Sequence, residues 1–203
     1  MSHDLSQPVA QSDFPSLPDT QAIDSIESML ERIRGLESRQ TPQVDPNALN
    51  LLVFDGHRDR LLAAFVMATG AAACGMKVVM FFTFWATAAL RKGGSQFGPK
   101  SWVERAFGWM LPRSMRHTRL SQMDMCGLGR ILMQREMCKK KIADLSELIE
   151  TASALGVEIR VCEMSMDLMG IRREELIDYP GLEMCGVARF VDESSRANTT
   201  LFI

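Results

Sequence analysis

The chain has 203 residues, 46% hydrophobic and 24% charged, which is enough for one domain with a real core and ordinary for a soluble globular protein. A net charge of −2 leaves no basic excess to hold it on nucleic acid or an anionic membrane, so neither is expected as a partner. Five cysteines, at 74, 126, 138, 162 and 185 with no CxxC pair, speak against a disulfide framework or structural zinc site and for free thiols in a reducing, cytoplasmic setting.

Residues 1–18 are rich in Ser, Pro, Gln and Asp; they are expected to form a disordered tail and contain no apolar run of the secretory kind. Asp19 and Thr20 fit a helix start. Ile23, Ile26, Met29, Leu30, Ile33 and Leu36 recur at helical spacing, predicting an amphipathic helix to about Ser38 that docks on the domain or pairs with a copy of itself. Segment 39–49 carries two prolines and reads as a linker, so the main domain is expected over 50–203.

Leu51–Phe54 reads as a buried strand, 55–59 as a polar turn, 60–74 as an Ala- and Leu-rich helix and Met76–Phe84 as a second buried strand. That βαβ order predicts a parallel sheet. Ala86–Arg91 fits a short helix. Within an insertion over 93–116, Trp102, Val103, Ala106, Phe107, Trp109 and Met110 make an amphipathic segment that suits a lid, a partner surface, a membrane-surface helix or packing on its own domain or oligomer mate. Leu128–Met137 is predicted helical, followed by Lys139–Lys141. Asp144–Leu155 is a clearer helix, stopped by Gly156. Val157, Ile159 and Val161 alternate, so 157–162 is a strand. Short helices at 164–171 and 174–177 and strands at 187–191 and 199–203 complete an α/β domain of about five strands. No stretch is long and apolar enough to span a membrane as a helix. Eleven of the fifteen methionines fall between Met80 and Met184 and suit an adaptable core or a contact surface.

Open parallel sheets bind ligands beyond the carboxyl ends of their strands, which singles out the turn Asp55–Asp59 and the loop beginning at Cys162. A thiol just ahead of a helix meets free backbone N–H groups and the positive end of the dipole, which favour the thiolate and would stabilise a persulfide anion. Ser165 is placed to cap that helix or to donate to sulfur, and Met164, in the same loop, is a candidate for contact with the substrate. A buried, inert Cys162 is the alternative. Cys126, in a Gly-rich turn, and Cys138, ahead of the lysines, are further thiols of interest. Cys74 is expected in the core. Asp55, Gly56 and His57, with Arg58, suit an anion at the start of helix 60–74 or, for His57, a plain exposed loop position, and His117 lies in a basic stretch, 113–119, that suits a lid over substrate or a solvated face. Lys139–Lys141 suit steering of anionic donors or an acidic carrier protein, or charge compensation at a helix C-terminus. The histidines at 3, 57 and 117 form no metal-ligand pattern, and no P-loop, GxGxxG or Ser-His-Asp order is present, so no metal or cofactor is expected.

The run from Gly156 to Ile171, with Cys162-Glu163-Met164-Ser165-Met166-Asp167 at its centre, resembles the signature of the DsrE/DsrF/DsrH-like family, and within it the branch labelled DsrE-like sulfurtransferase or peroxiredoxin family. The stretches 123–129, 139–145, 174–178 and 186–188 are similar to that branch too. The resemblance covers about 50–192. It implies a Rossmann-like α/β subunit that forms homo-oligomers and relays sulfane sulfur as a cysteine persulfide on Cys162, with small TusA-like sulfur carriers or rhodaneses as partners. The chain departs from the pattern in its 55–59 turn and at Cys185, where relatives have glycine, which leaves open whether Cys185 is a second working thiol or merely packs. A non-catalytic oligomeric assembly module and a nucleotide- or anion-binding module of the same fold are the competing readings.

Overall fold

The structure, a computed structural model, describes residues 25, 27–35, 44–93 and 101–203. The expected tail 1–18, the helix start at Asp19 and Thr20, the linker portion 39–43 and insertion residues 94–100 lie outside the described residues. Residues 27–35 are helical, within a unit spanning Met1–Pro42.

The second unit begins at Gln43. In chain order it comprises β1 (Asp45–Val53), α1 (Arg58–Ala73), β2 (Lys77–Phe82), α2 (Trp85–Ala89), α3 (Trp102–Met110), α4 (Leu128–Lys139), α5 (Leu145–Ala154), β3 (Glu158–Cys162), α6 (Glu163–Met169), β4 (Leu182–Cys185), α7 (Val187–Arg196) and β5 (Ala197–Phe202). The strands form one five-stranded sheet in the order β4-β3-β2-β1-β5, and every neighbouring pair is parallel.

Successive strand residues point to opposite faces. One face carries Leu49, Leu51 and Val53 of β1, Val78, Met80 and Phe82 of β2, Ile159 and Val161 of β3 and Leu182 of β4, all in the main core. Helix α1 buries Leu61, Ala64, Phe65 and Ala68 at helical spacing against this face, and α5 buries Leu145, Leu148 and Ala152 beside it. Each large side chain so buried stabilises the fold by roughly 1.5–3 kcal/mol. Asp144 caps α5 by accepting from the Ser146 and Glu147 N–H groups, at 2.8 and 3.0 Å. Tyr179 donates its hydroxyl to the Val157 carbonyl at 2.7 Å, and burial pushes its phenol up to about 12.

The opposite face carries Asn50, Leu52, Phe81, Arg160, Cys162, Glu183 and Cys185. Strand order dictates what covers it. The chain leaves β4 at one edge and re-enters as β5 at the other, so α7 lies between two opposite edges of the sheet. Its Phe190 packs on Phe81 with ring centroids 5.0 Å apart and planes tilted by 35°, and Ser194 meets buried Asn50 at 2.9 Å.

Several element boundaries differ from the sequence expectation. Strand β1 starts at Asp45, where a linker was expected, because Ala48 and Leu49 pair with Lys77 and Val78 and Asp45 pairs with Ala197; backbone pairing does not require an apolar run. Residues 187–191 are helix, not strand, since Val187, Phe190 and Val191 follow a helical period. The fourth strand is 182–185. Residues 173–175 form a single 3-10 turn where a helix over 174–177 was expected. Cys74, expected in the core, is exposed at the end of α1.

Candidate functional site

Cys162 ends β3 and is the N-cap residue of α6. The change from extended to helical backbone here places the thiol where strand hands over to helix, as the sequence suggested. The side chain makes no cap hydrogen bond. It is also 2% exposed, packed with Phe81 and Phe190 and flanked by Leu52 and Cys185. The thiol is thus a sealed one rather than one open at the mouth of the sheet.

Cys185 is its register partner on the edge strand β4. It is half-buried and, like Cys162, a free thiol. Burial raises its pKa and Glu193 adds to this, while Arg160 and Arg189 act in the opposite sense. These charges belong to a network below the two cysteines. The Arg160 guanidinium, 5% exposed, meets Glu158 at 2.5 Å, Glu183 at 3.0 Å and Glu193 at 3.5 Å; Glu193 in turn pairs with Arg189 at 2.8 Å. A guanidinium this buried is stable only when such carboxylates face it. The network pins α7, and with it Phe190, over β3.

Ser165 is fully buried, but its hydroxyl does not serve the sulfur. It lies 3.0 Å from the Thr83 hydroxyl and accepts the Phe84 N–H at 2.9 Å. Phe84 holds a left-handed φ of 44°, a conformation that costs a non-glycine residue free energy and that this hydrogen bond helps to hold. Ser165 therefore ties α6 to the end of β2. At the other end of α6, Gly170 (φ 61°) lies against Glu104 of α3, whose Cβ and Cγ would stand 2.7 Å from any Cβ placed there. The insertion helix α3 is thereby packed on α6. Met164 projects from α6 and is more than half exposed.

Asp55, Gly56 and His57 line a cleft of about 1020 Å³ whose walls do not include Cys162. Asp55 accepts the His57 N–H at 2.8 Å and also contacts the His57 ring. Gly56 approaches the Trp85 carbonyl so closely that an added Cβ would stand 2.6 Å from it. Trp85, Trp109 and Met110 give the cleft aromatic and apolar walls, and Arg113, His117 and Arg119 make it basic. Cys126 joins neither site: it is exposed, with a left-handed φ of 59°, in a turn where Met123 (57°) and Met125 (42°) are left-handed too. Cys138 is exposed at the end of α4. Among the described residues, no cluster of His, Cys, Asp or Glu suits a metal ion, and no helix is long and apolar enough to cross a membrane.

Sequence reasoning brought Cys162 and Cys185 into view but missed Phe190, Arg160 and Thr83, which fix their surroundings. For Arg160 a signal existed: the alternation that sends Val157, Ile159 and Val161 to one face sends Arg160 and Cys162 together to the other.

The profile of the DsrE/DsrF/DrsH-like family matches residues 46–202. Uncharacterized protein YrkE of Bacillus subtilis (strain 168) is 36% identical over 153 residues, covering 75% of this chain and 94% of its own length. Sulfur carrier protein DsrE2 of Allochromatium vinosum is 27% identical over 166 residues, covering 79% of this chain and all of its own. Among solved structures, the ychN protein from E. coli is similar with a TM-score of 0.45 at 13% identity, over 77% of this chain and 99% of that one.

Proposed function

Because the chain belongs to the DsrE/DsrF/DrsH-like family, we propose that it works in sulfur relay, as a carrier that takes up sulfane sulfur as a persulfide on Cys162 and hands it to an acceptor thiol. The observation that carries this reading is the position of Cys162 at the carboxyl end of an interior parallel strand, the N-cap of the following helix, with a second thiol in register beside it. A relative 27% identical bears the name sulfur carrier protein, which supports the same reading.

In the uptake step the Cys162 thiolate attacks the sulfane sulfur of a donor persulfide. A new S–S bond forms at Cys162, the donor's S–S bond breaks, and the donor leaves as a thiolate. In the delivery step an acceptor thiolate attacks the outer sulfur, and Cys162 leaves as a thiolate. Phe81 and Phe190 keep water and stray thiols from the stored sulfur. Ser165 acts as a positioning residue through Thr83 and Phe84, and backbone N–H groups near 164–166 offset the persulfide charge. Partners of this chemistry are a small TusA-like sulfur carrier or a rhodanese, met by a homo-oligomer.

Intact-mass analysis after incubation with polysulfide tests the reading, on a chain whose exposed Cys74, Cys126 and Cys138 are replaced by serine. A gain of about 32 Da, one sulfur atom, that Cys162→Ser removes or diverts is expected. No gain, or an unchanged gain at an unchanged site in Cys162→Ser, contradicts it.

The aromatic and basic cleft at Asp55–His57 favours a second reading, in which the domain binds an organic anion such as a nucleotide. A rise in Tm with nucleotides or coenzyme A, abolished by Arg119→Ala, is its signature; unchanged melting across both ligand classes rejects it.

A further inference from the structure

We propose that Cys185 is the surface thiol through which sulfane sulfur enters and leaves the buried Cys162; this rests on the carrier reading above. Sulfur transfer between thiols requires the attacking sulfur to touch the sulfur attacked, and Cys162 is 2% exposed beneath Phe81 and Phe190. A donor or acceptor on another protein cannot reach it while α7 is in place, and α7 is held there by the Arg160 network and by Asn50.

Cys185 has what Cys162 lacks. It lies on the edge strand of the sheet and is half-buried rather than sealed. It is also the residue paired with Cys162 across β3 and β4. Both side chains pack into the same small cluster, so they share a face. Neighbouring strands lie about 4.8 Å apart, inside the range of roughly 4.4–6.8 Å between Cα atoms that lets two cysteine sulfurs bond. A sulfur atom bound to one thiol is therefore within reach of the other without displacement of α7.

The exchange needs no oxidant or reductant. The Cys185 thiolate attacks the outer sulfur of a donor persulfide; an S–S bond forms at Cys185, the donor's S–S bond breaks, and the donor leaves as a thiolate. The Cys162 thiolate then attacks that outer sulfur. The S–S bond at Cys185 breaks, one forms at Cys162, and Cys185 leaves as a thiolate that takes up the proton released when Cys162 ionised. Delivery is the same sequence in reverse.

The experiment uses the full chain with Cys74, Cys126 and Cys138 replaced by serine, and glutathione persulfide as donor, read by time-resolved peptide mass mapping. Loading of Cys162 at least about tenfold slower in both Cys185→Ser and Cys185→Ala, reflecting loss of an oriented intramolecular donor, is expected. In Cys162→Ser the sulfur is expected to stay on Cys185, a readout independent of how the Cys185 variants fold. Loading of Cys162 at the parent rate in both Cys185 variants overturns the inference and leaves the carrier reading standing, as does a Cys162–Cys185 disulfide with release of hydrosulfide, which means that Cys185 attacks the inner sulfur. Sulfur that reaches Cys185 and never Cys162 overturns the carrier reading itself.

Discussion

Truncating Phe190 to alanine removes the ring that roofs Cys162, and the structure sets both the stability and the reactivity that follow. Phe190 is 6% exposed, packed at a tilt on Phe81 at 5.0 Å and edge-on to Phe202 at 6.4 Å. A phenylalanine buries about 150 Å² or more, which at roughly 25 cal/mol/Å² corresponds to about 4 kcal/mol. Alanine keeps a fraction of that, and the ring pairs add about 0.5–1.5 kcal/mol, so the net loss falls at about 3–5 kcal/mol, as for other buried Phe→Ala changes. Urea unfolding of the 43–203 unit within the full chain reads that loss. Phe202→Ala, at a ring 67% exposed, serves as the comparison and loses about 1 kcal/mol or less. Under native conditions Cys162, protected in the parent, becomes reactive toward a small alkylating reagent in Phe190→Ala at a urea-free concentration where the variant is still folded. A stability loss below about 1 kcal/mol, or a Cys162 that alkylates equally fast in parent and variant, refutes the sealed geometry.

Ser165→Ala removes a fully buried hydroxyl that holds Thr83 and the Phe84 N–H; it is expected to destabilise the domain by about 1–3 kcal/mol in urea unfolding, and an unchanged midpoint contradicts the tie between α6 and β2. Tyr179, the chain's one tyrosine, is expected to ionise in the folded state at about 12 by phenolate absorbance. Its folded pKa lies above the unfolded one, so its contribution to stability is complete below the unfolded value near 10 and is lost as pH rises towards about 12; a folded midpoint near 10 contradicts the burial of its phenol. Alkylation of Cys185 follows its thiolate, so its rate is expected to rise at a higher pH than for an ordinary thiol. Burial and Glu193 of α7 dominate, with Glu163 of α6 acting with them and Arg160 of β3 and Arg189 of α7 against; a midpoint at or below the ordinary thiol value rejects this electrostatic picture.

Much of the fold was legible because single elements announce themselves. Alternating Val157, Ile159 and Val161 mark β3, and the apolar stripe of α5 ends at Gly156, whose φ of 74° suits glycine. Ser101 and Glu104, like Asp144 and Glu147, are spaced as capping boxes and form them. The start of β1 was not legible because its first residues are exposed and owe their strand to backbone pairing. The short β4, between Gly181 and Gly186, offers four residues of weak alternation, and α7 was mistaken for strand because two valines in five residues outweighed the helical spacing of Val187, Phe190 and Val191.

At the site, the strand-to-helix position of Cys162 could be read locally, whereas its burial could not. That depends on Phe190, 28 residues on, being carried over the sheet when β4 and β5 take opposite edges. The carboxylates that hold Arg160 come from Glu183 and Glu193 as well as from Glu158, and only the last is a neighbour in sequence. The pairing of Cys162 with Cys185 likewise follows from register, which the spacing of two cysteines does not reveal.

Following one labelled atom decides whether Cys162 carries the sulfur. The chain is loaded with persulfide bearing heavy-isotope sulfur, freed of donor and mixed with an acceptor thiol, and the label is located by peptide mass mapping before and after. Label is expected on the Cys162 peptide first and on the acceptor afterwards, with Cys162 returned to a free thiol. Label that never occupies Cys162, or that stays there while the acceptor remains unlabelled, contradicts the carrier reading.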